Sequence, residues 1–446
     1  MNTPQLLMTI AVIALATPLC GQQQQQPESL SLQAATNYAL QNNPEVLAME
    51  QDIRMAQASL RLAGAARRVQ ASVNAYASSA TTSNMITSPP EVMPDDMRMV
   101  DPGRNLAADV RVTKSLSSGG RIAANVTQRQ RLLSATEADV QATRLQVYYQ
   151  TRAMYRMVLL RLKLLDVYRR EVEALQELAR VDEVKLEAGK IPLYYYLRDR
   201  TRLAEAQQEL VNGQRDVETG MYELSVMLGL DRPRQLTLTD ALGFVPFEYN
   251  EDQALREAAA NRPELAAVRA RIEAALAQIS AARAAYRPQL AATLILDYMT
   301  GEDDMSGGGY TAALVGSLPL LDAGARGAEV AMARAQQQQL TQQERRLAQT
   351  IARDVLVAQS SLKAADQNIR TSLEAQASAE EDYRAARLRY DVGKAVNLEP
   401  LDALAALVRA RVNAARAVYE YNNAVDALMQ AQGKFAAPEP TQAQPL

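Results

Sequence analysis

The sequence predicts a mainly α-helical chain with a small β portion, built twice over. Three observations carry that fold class. Ile122–Ala188 and Gly327–Val392 are long segments without a proline whose apolar residues recur at helical spacing. Each follows a short stretch of alternation: Leu106, Ala108, Val110 and Val112 against Ala107, Asp109, Arg111 and Thr113 in one case, Tyr310–Leu321 in the other. The whole arrangement then repeats along the chain, at an offset of about 205 residues here and about 219 nearer the start of each copy.

Taken in order, the N-terminus carries an apolar run, Leu6–Leu19, of about 14 residues, the length of a signal-peptide core and short of the ~20 a spanning helix needs. Residues 1–21 are therefore read as a signal peptide, with Ala14-Leu15-Ala16 as one cleavage site and Gly21 as a second. Cys20 is the candidate for lipidation should it head the mature chain, and otherwise leaves with the signal. The first copy spans 28–230. Ser29–Leu40 opens a short amphipathic helix, Asn42-Asn43-Pro44 interrupts it, and Glu45–Arg68 continues, with Pro44 in the first helical turn where its missing N–H costs nothing. Strands are expected at about 70–80 and 105–118, joined by a loop (about 81–104) carrying four prolines and expected to be poorly ordered. Helices follow at about 122–188 and 193–228.

Residues 231–262 link the copies, and the second copy covers 253–433. It has its own Asn261-Arg262-Pro263 break, strands at about 289–298 and 310–321, and helices at about 327–392 and 398–429. The Pro/Gln-rich tail, 434–446, reads as disordered. Narrow stripes mark the long helices: Val158, Leu162, Leu165, Tyr168, Val172, Leu175, Leu178 and Val181 in the first, and Leu347, Ile351, Val355, Ala358, Leu362, Ala365 and Ile369 in the second. They suit antiparallel coiled-coil packing better than a globular core.

Composition narrows the function classes. The chain has no His, one Cys, no Trp and a net charge of −3 with the two signs interspersed. Nucleic acid is not implied as a partner. Without histidine, a Cys pair or a Gly-rich phosphate loop, neither an enzyme nor a metal or cofactor site is expected. The strands are about 10 residues long, which suits tilted transmembrane strands. Four of them cannot close a barrel, and open edges cannot lie in lipid, so several chains must share one barrel if they cross a membrane. Two small soluble hairpins on a helical bundle, as in a structural periplasmic coiled-coil or adaptor protein, are the competing reading.

Several motifs then carry a specific resemblance. NNPE at Asn42–Glu45 with its echo NRPE, the strand-turn-helix junctions LSSGGR (116–121) and LPLLDAGARGAEV (318–330), the helix ends VKLEAGK and RYDVGK, and MYELSVMLGL (221–230) make the chain resemble the TolC-type outer-membrane channels of tripartite efflux pumps and type I secretion systems. Ser117 stands where the second copy has Asp322. The resemblance implies a homotrimer with a 12-stranded barrel in outer-membrane lipid, four strands per chain, continuous with a periplasmic α-barrel. It further implies a periplasmic adaptor and, through it, an inner-membrane pump or ABC transporter.

On that resemblance the helix-turn-helix tips form the entrance and the adaptor contact, naming Gly189, Lys190, Gly393 and Lys394. Glu399 and Asp402 match the family's acidic aperture positions; their three-residue step places both on one helix face, and in a trimer each would give a ring of three carboxylates. Tyr195, in the run Tyr194–Tyr196, is a candidate for narrowing the aperture, or equally a packing residue. Gly119, Gly120 and Gly324 are expected to turn the chain at a crowded strand-helix junction.

Overall fold

The structure is a computed structural model and describes residues 29–80, 84–87, 97–100, 103–300, 306–436 and 444–445. The expected signal peptide and Cys20 lie outside these residues. Strand β1 (Ser29–Leu30) precedes α1 (Leu32–Asn42), which Ser31 caps by accepting from the Ala34 N–H at 3.2 Å. The first helix thus starts three residues later than the sequence suggests, because 29–30 are drawn into a β pair. Asn43 ends α1 and caps α2 (Pro44–Ala65), its Oδ1 accepting from the Glu45 N–H at 2.9 Å.

Strands β2 (Gln70–Ala80), β3 (Asn84–Thr87), β4 (Met97–Val100) and β5 (Gly103–Ser117) follow. The pairing of β3 with β4, from Asn84↔Val100 to Thr87↔Met97, puts a short antiparallel ribbon within the loop expected to lack order. Helix α3 (Arg121–Glu187) has 67 residues, or on the order of 100 Å at 1.5 Å per residue. It turns back through α4 (Leu193–Met227). Strand β6 (Thr237–Leu238) runs parallel to β1, and β7 (Gly243–Phe244) pairs with residues 444–445. The second copy comprises α5 (Glu251–Asn261), α6 (Pro263–Arg283), β8 (Gln289–Thr300), β9 (Ser306–Ser317), α7 (Ala325–Asp391), again 67 residues, and α8 (Leu398–Ala431).

Strand β9 sits four residues before its expected place. Gly307, Gly308 and Gly309 pair with Met299, Tyr298 and Asp297, whereas Pro319 has no N–H to give to a ladder and leaves Leu318–Leu321 outside the strand. The first three residues of the tail, 434–436, are ordered against α3 rather than disordered. Tyr149 donates its hydroxyl to the Lys434 carbonyl, and Phe435 meets the Tyr148 ring edge-on at 5.1 Å, so residues 434–436 lie against α3.

The main core surrounds the middle of α3. Val147, Tyr155 and Val158 pack there with α1, the C-terminal turns of α4, the inter-copy segment, the middle of α7 around Ile351–Ile369 and the C-terminal half of α8. Within it the Asp240 carboxylate accepts from the Leu32 N–H at 2.6 Å and from the Tyr155 hydroxyl at 3.0 Å, which pins the start of α1. Arg152 and Arg156 converge on Asp426 of α8, with all three side chains nearly buried. Helices α3 and α4 approach closely through a heptad of buried positions, Asp199, Ala206, Gly213 and Gly220. A Cβ at Gly213 would fall 3.0 Å from Tyr168, and one at Gly220 2.5 Å from Arg161.

The two breaks expected from NNPE and NRPE are met by equivalent neighbours. A Cβ on Gly229 would fall 2.3 Å from the Asn42 carbonyl oxygen, and one on Gly433 2.8 Å from the Asn261 carbonyl carbon. Asn43 donates to the Met227 carbonyl at 2.8 Å, and Arg262, in the corresponding place, to that of Gln430 at 3.2 Å. The second long helix of each copy, α4 or α8, therefore ends against that copy's own proline break. With φ at +75°, Gly229 also needs the left-handed region. Gly229→Ala is expected to destabilise the fold by about 1–3 kcal/mol, read as a lower unfolding temperature.

Candidate functional site

The four long strands form one antiparallel sheet in the order β2-β5-β8-β9. Its register sorts side chains into two faces. One row reads Ala71, Val112, Leu294, Ala312 and the next Val73, Val110, Leu296, Tyr310. Between them lies the opposite face, where Ser72, Arg111, Ile295 and Thr311 form one row and Asn74, Asp109, Asp297 and Gly309 another. The apolar face is open: Val73 is 74% exposed, Tyr310 77% and Leu314 65%. On the polar face Asn74 donates to Asp109 at 3.0 Å. A sheet that leaves its apolar side exposed and gathers its acids and amides on the other inverts the soluble pattern. Strands β2 and β9 each have one edge without a ladder partner among the described residues. No helix of the described residues is long and apolar enough to cross a membrane.

Sheet passes to helix at two matching junctions. Gly119 (φ +62°) and Gly120 (φ +96°) lead into α3; Ala323 (φ +51°) and Gly324 (φ +90°) lead into α7. A Cβ at Gly119 would meet that of Arg287 at 2.7 Å; around Gly324 nothing lies within 4 Å, so its backbone angle alone accounts for the glycine. Asp322 accepts from the Arg326 N–H at 2.8 Å, and its carboxyl is held down at about 2, chiefly by hydrogen bonds from the Arg326 side chain and backbone. Its counterpart in the first copy is Ser118, which accepts from the Ile122 N–H at 3.0 Å, rather than the neighbouring Ser117.

At the far ends of the long helices both turns close alike. The Lys190 N–H reaches the Lys185 carbonyl and the Lys394 N–H that of Arg389, each at 2.8 Å, with Gly189 and Gly393 in the left-handed region. The two lysine side chains are exposed. Glu399 and Asp402 share one cleft of about 380 Å³ with Asp382 and Arg389. Glu399 pairs with Arg389 at 3.2 Å, while Asp402 makes no ion pair among the described residues. Asp402 also borders a wider cleft, of about 910 Å³, beside Arg198 and Arg202 of α4. Tyr195 stands apart from these clefts and leans on Tyr194, ring centroids 4.3 Å apart.

Four tip residues escaped the sequence reading. Asp182, Asp199, Tyr390 and Asn397 are buried and hydrogen-bonded to one another. Their signal was positional: Asp182 follows Leu175 and Leu178 on the buried stripe of α3, and Asp199 heads the Ala/Gly heptad of α4.

The arrangement has known counterparts. The Campylobacter jejuni CmeC outer membrane channel matches with a TM-score of 0.77 at 17% identity, covering 96% of this chain and 94% of that one. The outer membrane protein VceC of Vibrio cholerae matches at 0.73 with 20% identity, over 90% of this chain and 96% of the other. The open state of the Neisseria gonorrhoeae MtrE outer membrane channel matches at 0.74 with 18% identity, over 90% and 89%. At these identities the likeness is one of fold. No curated protein matches the sequence. The outer membrane efflux protein family, by contrast, matches residues 35–230 and 254–434, nearly the whole of both copies. The chain belongs to the outer membrane efflux protein family.

Proposed function

We propose that three copies of this chain close their sheets into one 12-stranded barrel in the outer membrane and continue as a helical duct through the periplasm. The observation that carries it is the sheet: four strands, an exposed apolar face, and free edges at β2 and β9. In lipid an unpaired strand edge leaves backbone groups without water, so each edge needs a neighbouring chain's opposite edge. The duct is passive. Energy comes from an inner-membrane pump or ABC transporter, for efflux or type I secretion, through a periplasmic adaptor that meets the Gly189–Lys190 and Gly393–Lys394 tips. Unheated gel electrophoresis of the outer-membrane fraction should show a trimer, and planar bilayers should show channel events. A soluble monomer without conductance would overturn this reading.

The tip is the aperture in this proposal, with Glu399 and Asp402 supplying rings of acid. Glu399 is paired with Arg389, whereas Asp402, though Arg198 and Arg202 border its cleft, makes no ion pair among the described residues and is assigned the larger share of the field. Asp402→Ala is expected to lower the cation-to-anion permeability ratio severalfold, and Glu399→Ala less, in reversal-potential measurements under a salt gradient. Unchanged ratios in both variants would remove these residues from the pore.

A further inference from the structure

Four elements meet at the tip through one polar cluster. Asp182 of α3 accepts from the Tyr390 hydroxyl of α7 and from the side-chain amide of Asn397, the residue preceding α8. The same amide donates to both oxygens of Asp199 in α4, at 3.0 and 3.1 Å. Asp182 and Asp199 are 0% exposed and Asn397 2%. The Asn397 carbonyl oxygen finds no partner among the described residues. One neutral amide thus bridges two carboxylates that water does not reach. Two full negative charges in such a place repel each other and lack solvation, and a proton held between them relieves both costs.

We propose that Asp182, Asp199, Asn397 and Tyr390 form a proton-operated latch, which clamps the α7–α8 hairpin to the α3–α4 hairpin while the two acids share a proton and loosens when that proton leaves. Burial first, and then Asp182 through hydrogen bond and charge, push the Asp199 carboxyl up to about 7, against the opposing pull of Asn397 and Arg198. The surrounding groups come from every element of the tip. Lys185 of α3 lies 3.4 Å from the Tyr390 ring centroid; its own pKa is drawn down by burial, with Asp182 and Asp391 opposing and Arg387 and Lys190 adding to the fall. The Tyr390 phenol is pushed up, by burial above all, and stays a donor throughout the range concerned.

The direction follows from linkage. A carboxyl that holds its proton up to about 7 when buried, and only to about 3.8 when exposed, stabilises the closed cluster fully below the lower value; that contribution is lost as pH rises through the upper one. Between pH 5.5 and 8 the equilibrium for parting the hairpins should therefore rise on the order of 30-fold, if Asp199 becomes fully exposed when they part.

Hydrogen exchange on the purified full-length protein tests this directly at pH 5.5 and 8, after correction for intrinsic exchange rates. Peptides covering 177–205 and 383–405 should lose protection at the higher pH, while those around Tyr155 do not. Asp199→Asn keeps a neutral hydrogen-bonding side chain without a titratable proton, and should hold the tip at its acid level at both pH values. Equal wild-type protection at the two pH values, or an Asp199→Asn protein that keeps the shift, would overturn the latch; the wild-type comparison decides the matter even if the variant fails to fold. The link from latch to conduction rests on the aperture reading above, so bilayer conductance is measured alongside. Conductance that follows the same pH profile and loses it in Asp199→Asn supports both. A conducting channel with a pH-invariant tip overturns the latch alone, and a pH-dependent tip without conductance overturns the aperture alone.

Discussion

Leu294→Arg should prevent this protein from entering the outer membrane. Leu294 stands near the middle of β8 on the apolar exposed face, in a row with Ala71, Val112 and Ala312. A guanidinium near the bilayer midplane on the lipid side of a barrel costs about 2–4 kcal/mol, and the proposed trimer would incur that cost three times. Trimer in the outer-membrane fraction, assayed by unheated gel, should fall to near zero. The matched control moves the same arginine one residue. Thr293 lies on the opposite face beside Thr113 and Ala313, so Thr293→Arg should insert and trimerise, changing only conductance. Equal behaviour of the two variants would mean that the faces are not lipid and lumen, as expected of a soluble hairpin.

Asp426→Ala is the second large effect, and it falls on stability. Arg152 donates to the Asp426 carboxylate at 2.7 Å and Arg156 joins it on the same oxygen, with side chains 5%, 5% and 7% exposed. Taking the carboxylate away from two nearly buried guanidiniums should destabilise the fold by about 3–5 kcal/mol, because the remaining charges keep the desolvation cost of burial. Asp426→Asn retains an acceptor and should recover part of that loss. Chemical denaturation of the detergent-purified protein reads both, with the loss appearing as a lower midpoint. An unperturbed Asp426→Ala midpoint would show that other partners of the two arginines suffice.

Much of the architecture was legible because glycine brackets the long helices at both ends. Expected bounds of 122–188 and 327–392 meet observed helices of Arg121–Glu187 and Ala325–Asp391. Alternation located β2, β5 and β8 closely. It failed at β9, where Gly307–Gly309 pair as strand but have no side chains to alternate, while Leu318, Leu320 and Leu321 look like strand on either side of a proline that cannot join a ladder. The proposed aperture acids, Glu399 and Asp402, came from the family resemblance, and their three-residue step adds only that they share one helix face. The latch was not legible. Its members come from both hairpins, with Asp182 and Asn397 215 positions apart in the chain. Acids are frequent along these helices, and only a position on the buried stripe distinguishes Asp182 from its neighbours.

The equal lengths of α3 and α7, 67 residues each, constrain how this molecule can change in size. Adding one residue to a helix turns everything beyond it by about 100°. A single insertion midway along α3 would swing Asp182 away from Asn397 and carry the buried stripe toward water. Two turns, about seven residues, nearly restore the phase. The antiparallel partners α4 and α8, and the second copy, would have to lengthen with it for the tips to remain level. The reach of the molecule can therefore change only in coarse, coordinated increments, whereas its hairpin loops are free to grow one residue at a time.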